Sequence, residues 1–379
     1  MVPPSKIVIV GGGVIGTSLS YFLAKEHGIS CTLIDPKGIA PGASSKAGGF
    51  LASHWRDGTD LEEMQRLGFD LHQEIANDLG ASNIDYRRLT CSAVAIDESQ
   101  TRKVQKPPSK KLESVEWVDR AVIGSATMGT DENIAQVHPR KLCEKMWQFA
   151  KEKQGSQLVK GKVNKVIFDT ETNAVSKVCL ENGSEIDADV FVVACGAWTH
   201  HALQSWFKEI DAISSLPPIT GVKCHSMLVK PDDVFSQAVF FESDGYFGDA
   251  DIEVYPRPDG DCYVNGFAGD EVIISEEPGE EEVEKDCIDQ LRNAMDMTTT
   301  KLGGLIPHTT QACYWPETDD GLPLIGKLPQ VPNAFIATGH SVWGILQGPI
   351  TGKAVAELLV SGSSDCLDLK AFSPERFAD

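Results

Sequence analysis

The chain has 379 residues, which is enough for two domains or one large composite domain. It has 34 lysines and arginines against 55 aspartates and glutamates, and its formal net charge of −21 argues against nucleic acids and anionic membranes as partners without excluding a local basic patch. Its ten cysteines lack zinc-site spacing, and no apolar run reaches the ~20 residues that span a bilayer. Composition thus predicts an acidic cytoplasmic enzyme without a metal site.

The first elements of the chain predict a βαβ unit. Residues 6–10 form a short apolar, β-branched run that predicts a buried strand. Residues 14–28 change to helical spacing, with Gly28 placed to end the helix. Residues 31–35 predict a second buried strand.

The connection between the first strand and the helix has the pattern Gly11-x-Gly13-x-x-Gly16, which in this context indicates a dinucleotide site. Gly11 permits a tight turn, Gly13 lets the backbone approach a pyrophosphate, and Gly16 allows close packing of the helix. The start of that helix offers free N–H groups to the phosphates. Asp35 can accept hydrogen bonds from ribose hydroxyls and would repel a 2′-phosphate, which disfavours NADP.

The rest of the chain predicts alternating helical and extended segments. In order, these are a glycine-rich connection at 40–55, an amphipathic helix at 60–80, an exposed polar loop at 97–115, a helix from Pro139, strands at 163–169 and 175–181, a buried run at 188–198, an antiparallel sheet within 220–275 with a hairpin turn at 258–260, an acidic-fronted helix at 276–297, and a strand, turn and helix at 333–360. Nucleotide-type segments therefore occur at the start, middle and end, with a second domain threaded between them.

Three glycine-rich segments favour FAD over NAD. Residues 42–50 combine small and hydroxyl side chains, as a channel for a bulky cofactor needs, and residues 191–198 form a strand ending in a glycine turn. Residues 336–352 run from a strand into a helix whose glycines permit close packing at four-residue spacing: Gly344, Gly348 and Gly352. The N–H groups at that helix start can stabilise the negative charge of a reduced flavin, which a nicotinamide does not carry. We therefore predict FAD.

With these segments together, the chain resembles the FAD-dependent D-amino-acid oxidase superfamily, which includes glycine and sarcosine oxidases. The resemblance covers nearly the whole chain and depends on the order of its motifs: VIVGGGVIG with Asp35, PGASSKAGG, QVHPRKLC, VVACGAW, VYPRPDGDCYVNG, TDDGLPLIGKLP and ATGHSVWGILQGP. Within the superfamily the chain is similar to an uncharacterised fungal and plant subgroup of oxidoreductases, one member of which is linked to endosome-to-Golgi traffic.

The resemblance implies an α/β fold, with a Rossmann-type FAD-binding domain interleaved with an α+β substrate domain built on an antiparallel sheet. We assign residues 1–83, 137–222 and 305–379 to the FAD-binding domain, and residues 84–136 and 223–304 to the substrate domain. The resemblance also implies removal of a hydride from a C–N bond, which gives an imine that water hydrolyses.

Carried over by position, the resemblance implies a set of cofactor-binding residues. The ADP half of FAD would contact Gly11, Gly13, Val14, Ile15, Gly16, Asp35 and Pro36. The pyrophosphate and flavin would contact Ser44, Ser45, Lys46, Ala47, Gly48 and Gly49. The adenine side would contact Val163, the dinucleotide Ala194, Gly196 and Trp198, and the isoalloxazine Gly339, His340, Ser341, Val342, Trp343, Gly344, Ile345 and Leu346.

Two positions depart from the family. Trp315 stands where glycine-oxidase-like members carry an arginine that pairs with the substrate carboxylate. Val264 stands where sarcosine-oxidase-like members carry a lysine. Both departures argue against a simple α-amino-acid oxidase and favour a pocket for a neutral or aromatic amine. Arg257 is a candidate replacement for the carboxylate clamp, and the alternative is an arginine exposed on a hairpin.

Cys313 and His340 are further candidates for chemistry at the flavin. Cys313 lies seven residues before Asp320, which is the spacing of the cysteine that forms a flavin thioether in sarcosine-oxidase-like relatives. The alternative is a buried thiol. His340 would orient the substrate, accept a proton, or only pack on the cofactor. Trp55 would face either the flavin or the core.

The predicted function is oxidation of a small-molecule amine or amino acid by an FAD-dependent oxidoreductase, with His340, Trp315 and Arg257 as candidate catalytic residues. The alternative is a weakly catalytic or non-catalytic flavoprotein that acts as a binding or redox-sensing partner in membrane traffic. The basic segment 102–111 would then dock an acidic partner, or it is a solvated loop. An NAD dehydrogenase is the third candidate. The predicted location is the cytoplasm, peripheral to endosomes in the trafficking alternative.

Overall fold

The structure, a computed structural model, describes residues 5–96, 115–120, 122–214, 216–243, 252–266, 269 and 271–377. Its helices are α1 (Val14–Glu26), α2 (Ala43–Lys46), α3 (Glu62–Leu79), α4 (Pro139–Gln154), α5 (Thr199–Trp206), α6 (Asp211–Ser214), α7 (Lys285–Thr298) and α8 (Gly344–Ser361). Its strands are β1 (Ile7–Val10), β2 (Cys31–Asp35), β3 (Phe50–Ala52), β4 (Arg87–Arg88), β5 (Thr90–Ile96), β6 (Val122–Gly129), β7 (Ile134–Gln136), β8 (Gln157–Lys160), β9 (Val163–Phe168), β10 (Val175–Leu180), β11 (Glu185–Asp187), β12 (Val190–Val193), β13 (Thr220–Val229), β14 (Gln237–Ser243), β15 (Ile252–Pro256), β16 (Cys262–Gly266), β17 (Glu271–Val272), β18 (Thr309–Glu317), β19 (Leu324–Lys327) and β20 (Ala334–Thr338).

A six-stranded sheet has the β1–α1–β2 unit near its centre. Its strand order is β19-β20-β12-β1-β2-β8, and all neighbours are parallel except β19 and β20. Ile7 and Ile9 of β1 pack with α1, α4 and α8 on one face. Val8 and Val10 pack with α5 and the sheet of β9, β10 and β11 on the other. Because both faces are covered, β1 is a continuous apolar run. The predicted βαβ unit is confirmed.

An eight-stranded sheet forms the second large layer. Its order is β17-β13-β16-β15-β14-β5-β6, and β18 pairs along β13. Side chains such as Val254 and Val264 pack with α7 on one face, so the residues that alternate with them face the other way. The predicted hairpin is confirmed, since the Arg257 N–H donates to the Asp261 carbonyl oxygen at 2.7 Å.

The strand pairing bears on the predicted domain boundaries. β18 lies within 305–379, which we assigned to the FAD-binding domain, but it pairs with β13 of the eight-stranded sheet. β13 itself crosses the predicted boundary at 222. The division into two interleaved domains stays a prediction. The pairing of β18 with β13 places β18 in the sheet of the predicted substrate domain.

The helix predicted over 276–297 is shorter than expected, because α7 begins at Lys285. Gly279 has a φ of +91°, which is incompatible with a continuing helix. Glu281, whose side chain is fully buried, pairs with Lys46 of α2. The acidic stretch before α7 is thus held in a non-helical path by ion pairs to distant residues.

Candidate functional site

A cavity of about 910 Å³ is lined by residues of both large sheets. One wall contains residues at or just beyond the carboxyl ends of four parallel strands: Val10, Asp35, Ala194 and Thr338. The other wall comes from β13, β14, β15, β16 and β18. Ligands of open parallel sheets bind outside the carboxyl ends of the strands, at the point where the strand order reverses. β1 lies at such a point, between β2 and β12.

Two positions in the loop before α1 leave no room for a side chain. A Cβ atom on Gly11 or Gly12 would lie 2.1 Å from a backbone carbonyl oxygen. α1 follows Gly13 without a side-chain cap, and the Val14 N–H donates to the Ser44 hydroxyl at 2.9 Å. An uncapped helix start at a glycine loop offers the N–H groups and the dipole that a pyrophosphate binds, so this wall fits the predicted dinucleotide.

Asp35 ends β2 with a buried carboxylate. It accepts hydrogen bonds from the backbone N–H groups of Gly12, Lys37 and Gly38, each at 2.9 Å. Burial raises the pKa of the Asp35 carboxyl, and these three N–H groups oppose the rise. Carboxylate oxygens keep further lone pairs after such contacts, so the group fits ribose hydroxyls as donors.

The segment that leads into α8 forms another part of the wall. Residues 340–345 line the cavity, and α8 starts at Gly344 without a side-chain cap. The Trp343 Nε1–H is buried and has no acceptor among the described residues. A buried donor without a partner is costly, and a flavin offers carbonyl and ring-nitrogen acceptors. This wall therefore fits FAD.

His340 is buried in the same segment, with Nε2 2.9 Å from the Thr351 hydroxyl. Burial lowers the pKa of His340 to about 3. The ring is therefore neutral near neutral pH and is a poor proton acceptor there. Orientation of a ligand and packing on the cofactor stay as the predicted roles of His340.

The two helices whose starts line the cavity also pack on each other. A Cβ atom on Gly352 would lie 2.5 Å from Ser18 Cβ, and one on Gly348 would lie 2.8 Å from Val14 Cγ2. The predicted close packing is confirmed for these two glycines. A Cβ atom on Gly344 would meet nothing closer than 3.7 Å, so this glycine is not needed for packing.

Most of the predicted cofactor residues line the cavity: Gly11, Gly13, Val14, Ile15, Asp35, Pro36, Ser44, Ala47, Gly48, Gly49, Val163, Ala194, Gly196, Trp198, His340, Ser341, Val342, Trp343, Gly344 and Ile345. The others lie behind the wall: Gly16, Ser45, Lys46, Gly339 and Leu346. Gly16 has the predicted packing role, since its Cβ would lie 2.0 Å from a carbonyl oxygen. Lys46 was predicted to contact the pyrophosphate and flavin, but it does not face the cavity. Its ammonium instead binds Glu281 and the Ala312 carbonyl oxygen.

The interpretation of Arg257 as an exposed arginine is wrong, since the residue is only 4% exposed. Its guanidinium carbon lies 5.3 Å from the Tyr263 ring centroid, and Nη2 donates to the Ala47 carbonyl oxygen at 3.1 Å. Arg257 is not among the residues that line the cavity. It therefore supports the wall from behind and is not placed to clamp a carboxylate within it.

Cys313 and Trp315 of β18 both line the cavity. Cys313 lies opposite Cys224 of β13, and burial raises the pKa of the Cys313 thiol to about 12, against the opposing charge of Lys46. A protonated thiol is a poor nucleophile, which favours the buried thiol over the flavin thioether. Val264 packs on the α7 side of its sheet. The position compared with the family lysine therefore does not face the cavity.

One end of the cavity has an aromatic wall, defined as Phe50, Trp55, Phe240, Tyr255 and Trp343. Neighbouring ring centroids are 5.0 to 6.2 Å apart, and Phe50 stacks on Tyr255. Of these residues the sequence indicated only Trp343 and Trp55. The other three come from strands whose inward faces depend on pairing between distant segments.

Glu253 and Asn265 bring polar atoms into the aromatic end and were also missed. They are opposite each other on β15 and β16, and both line the cavity. The Tyr255 hydroxyl donates to a Glu253 carboxylate oxygen at 2.5 Å. The alternation in IEVYP was the available signal, since it places Glu253 on the face of Tyr255 and opposite to Val254.

Potential metal ligands outside the cavity already have partners. His225, Glu284 and Cys287 have ligand atoms within 4.8 Å of one another. The Lys223 ammonium binds the Glu284 carboxylate at 2.8 Å, and the Glu284 N–H donates to His225 Nε2 at 3.1 Å. Two of the three ligand groups are therefore engaged within the protein.

The uncapped starts of α1 and α8, with Asp35 in the same wall, define a protein that binds a flavin dinucleotide. The model of the DAO family, described as FAD dependent oxidoreductase, matches residues 6–358. The chain belongs to this family. The predictions of FAD and of the fold class are thus confirmed, and the NAD alternative is wrong.

Individual relatives match the chain end to end. It is 30% identical over 396 residues to "Putative oxidoreductase C1F5.03c" of Schizosaccharomyces pombe, with 98% of each chain covered. It is 26% identical over 392 residues to glycine oxidase of Bacillus licheniformis, with 97% of this chain and 96% of the relative covered. The solved structure of glycine oxidase from Geobacillus kaustophilus matches with a TM-score of 0.77 at 20% identity, with 98% of each chain covered.

The predicted docking segment and the predicted cellular location both stay predictions. In the described residues, no helix combines the length and the apolar character that crossing a membrane requires. The basic segment 102–111, predicted as a docking site, lies outside the described residues. No feature of the described residues bears on the predicted cytoplasmic or endosomal location.

Proposed function

We propose that the protein removes a hydride from a C–N bond of a small amine or amino acid, with FAD as the electron acceptor. The observation that carries this proposal is the continuity of the cavity. The two helix starts that fit FAD and the aromatic wall line the same space, so a small molecule at the aromatic wall would adjoin the cofactor. Relatives that are named glycine oxidase support an amine or amino acid as the substrate class.

The residues of the chain would bind and orient both molecules. Asp35 and the starts of α1 and α8 would hold FAD, which supplies a two-electron acceptor when bound. The aromatic wall positions the substrate and excludes water from the reacting end. Hydride transfer depends mainly on such positioning, so the neutral His340 does not weaken the proposal.

Anaerobic addition of amines and amino acids to the FAD-loaded protein tests this function. We expect at least one small amine or amino acid to bleach the visible flavin band and to be converted to a carbonyl product. Free FAD under the same conditions is the control. If a broad panel leaves the band of a fully loaded protein unchanged, the proposal is wrong, and the weakly catalytic or non-catalytic alternative replaces it.

A further inference from the structure

The described residues that line the aromatic end of the cavity include an acidic side chain and no lysine or arginine. Among the described residues that line the cavity, Glu253 places a carboxylate at the aromatic end. Lys162 is the one lysine or arginine in that lining. It follows Gly161, whose N–H donates to the Asp35 carbonyl oxygen at 3.1 Å, so it belongs to the nucleotide end. A substrate carboxylate at the aromatic end would therefore find no lysine or arginine in the described wall.

Aromatic side chains flank Glu253. Its hydrogen-bond donor Tyr255 stacks on Phe50, with ring centroids 5.0 Å apart. Phe240 lies opposite Glu253 on β14, and the Trp55 ring lies 5.1 Å from the Phe240 ring. Aromatic faces attract cations through their quadrupole, and the attraction grows when water is excluded. A carboxylate within such rings is a site for an organic cation.

Asn265 provides a second acceptor beside Glu253. Its Oδ1 is buried and has no donor among the described residues. An ammonium N–H would supply that donor, whereas a carboxylate would not.

We propose that the aromatic end binds the substrate as a protonated primary or secondary amine that has no carboxylate group. This inference rests on the proposed function and adds its substrate class. Glu253 and Asn265 accept the ammonium N–H groups, and the aromatic wall contacts the apolar substituents. An amine with an aromatic substituent fits this site, in line with the sequence analysis. It binds as a cation and not as a neutral amine.

Glu253 also has a role after binding. Transfer of one N–H proton to its carboxylate breaks the N–H bond, forms an O–H bond and leaves a lone pair on nitrogen. Oxidation of the C–N bond requires that lone pair. Tyr255, which donates to the same carboxylate, is a positioning residue for this step.

Benzamidinium and benzoate are matched probes for this site. They have the same ring and opposite charge, and benzamidinium has N–H donors but no C–H bond next to nitrogen that could be oxidised. Binding to the FAD-loaded protein is followed through the flavin absorbance. We expect benzamidinium to bind and benzoate to bind at least about tenfold more weakly, as for loss of a charge-assisted hydrogen bond.

The variant Glu253→Gln should weaken benzamidinium binding about tenfold or more, for the same reason. Glu242→Gln, which changes an exposed carboxylate on the neighbouring strand β14, should leave it unchanged. Preferred binding of benzoate, or equal binding of benzamidinium by Glu253→Gln and the parent, would overturn the inference. The comparison of the two probes on the parent protein needs no variant, so it decides the question even if Glu253→Gln does not fold.

Failure of this inference is distinct from failure of the proposed function. Reduction of the flavin by N-methylglycine but not by N-methylbenzylamine overturns the cation site and keeps amine oxidation. Arg56, which lies 5.4 Å from the Trp343 ring centroid and outside the cavity lining, would then be the cation to examine. Binding of benzamidinium without reduction by any amine supports the cation site and removes the activity.

Discussion

At the scale of single residues, the protonation of Cys313 decides how the cofactor is attached. Its thiol has a pKa raised to about 12 by burial, so almost none of it is thiolate near neutral pH. We therefore predict that acid precipitation releases all of the flavin into the supernatant. Absorbance of the supernatant and the pellet measures this. Cys313→Ser should hold the same amount of FAD, and a yellow pellet from the parent but not from this variant would show a thioether.

The same scale shows which residues a sequence can predict. Gly11 and Gly13 were predictable because their role depends on a turn and a helix start that neighbouring residues define. Arg257 was not, because its burial comes from Tyr263 and Ala47, which only the folded chain brings near it. Glu253 was missed because a single strand does not reveal which of its faces meets a cavity.

At the scale of elements, the contact between α1 and α8 controls the geometry of the cofactor site. Gly352→Ala would place a methyl group 2.5 Å from Ser18 Cβ and 2.6 Å from the Leu19 backbone nitrogen. Overpacking of this kind costs about 1–3 kcal/mol in the free energy of unfolding. We also expect weaker FAD binding, because α1 presents the phosphate loop. Denaturant unfolding and FAD titration measure the two effects.

Gly124→Ala is the matched control for that substitution. Its added Cβ would meet no atom within 4 Å, and its backbone has no strained φ. It should change the free energy of unfolding by less than about 0.5 kcal/mol and leave FAD binding unchanged. Equal behaviour of the two alanine variants would show that the α1–α8 contact can relax without cost.

Elements with local signals were predicted well. α4 starts at Pro139 and is followed by Gly155 in a left-handed conformation, as a proline at the first turn and a glycine at the end indicate. The acidic stretch before α7 has no such local signal. Its path depends on Glu281 reaching Lys46, a residue of an element far away in the chain.

At the scale of the whole molecule, buried histidines make stability depend on pH. Burial lowers the pKa of His340 to about 3 and those of His72 and His138 to about 4, from an ordinary 6.5. Below pH 6.5 the unfolded chain binds protons at these rings and the folded chain does not, so the free energy of unfolding falls as the pH falls. Each histidine contributes up to about 1.4 kcal/mol per pH unit below about pH 6.

Denaturant unfolding of the FAD-saturated protein between pH 7 and pH 5 tests this expectation. Carboxylates with lowered pKa values change stability in the same direction, but mainly at lower pH, so this window isolates the histidines. His72→Gln should reduce the slope of the free energy of unfolding against pH by the equivalent of about one bound proton. This holds whatever the effect of the substitution on the stability at pH 7. A flat profile in the parent would show that these rings are protonated in the folded state.

The meeting of the three nucleotide-type segments was the part of the whole molecule that the sequence predicted best, because the motifs at its start, middle and end all line one cavity. The partner of β18 was not predictable in this way. Its nine residues pair along β13, and nothing within either segment specifies the other.

The contact between α1 and α8 also has a consequence for biosynthesis. α1 begins at Val14 and α8 at Gly344, so a chain emerging from the ribosome exposes its phosphate loop long before the second helix exists. The pairing of β20 with β12 and the packing of Gly348 and Gly352 against α1 bring the two halves of the flavin site together. Assembly of the complete flavin site therefore has to wait until α8 has been synthesised and packs on α1.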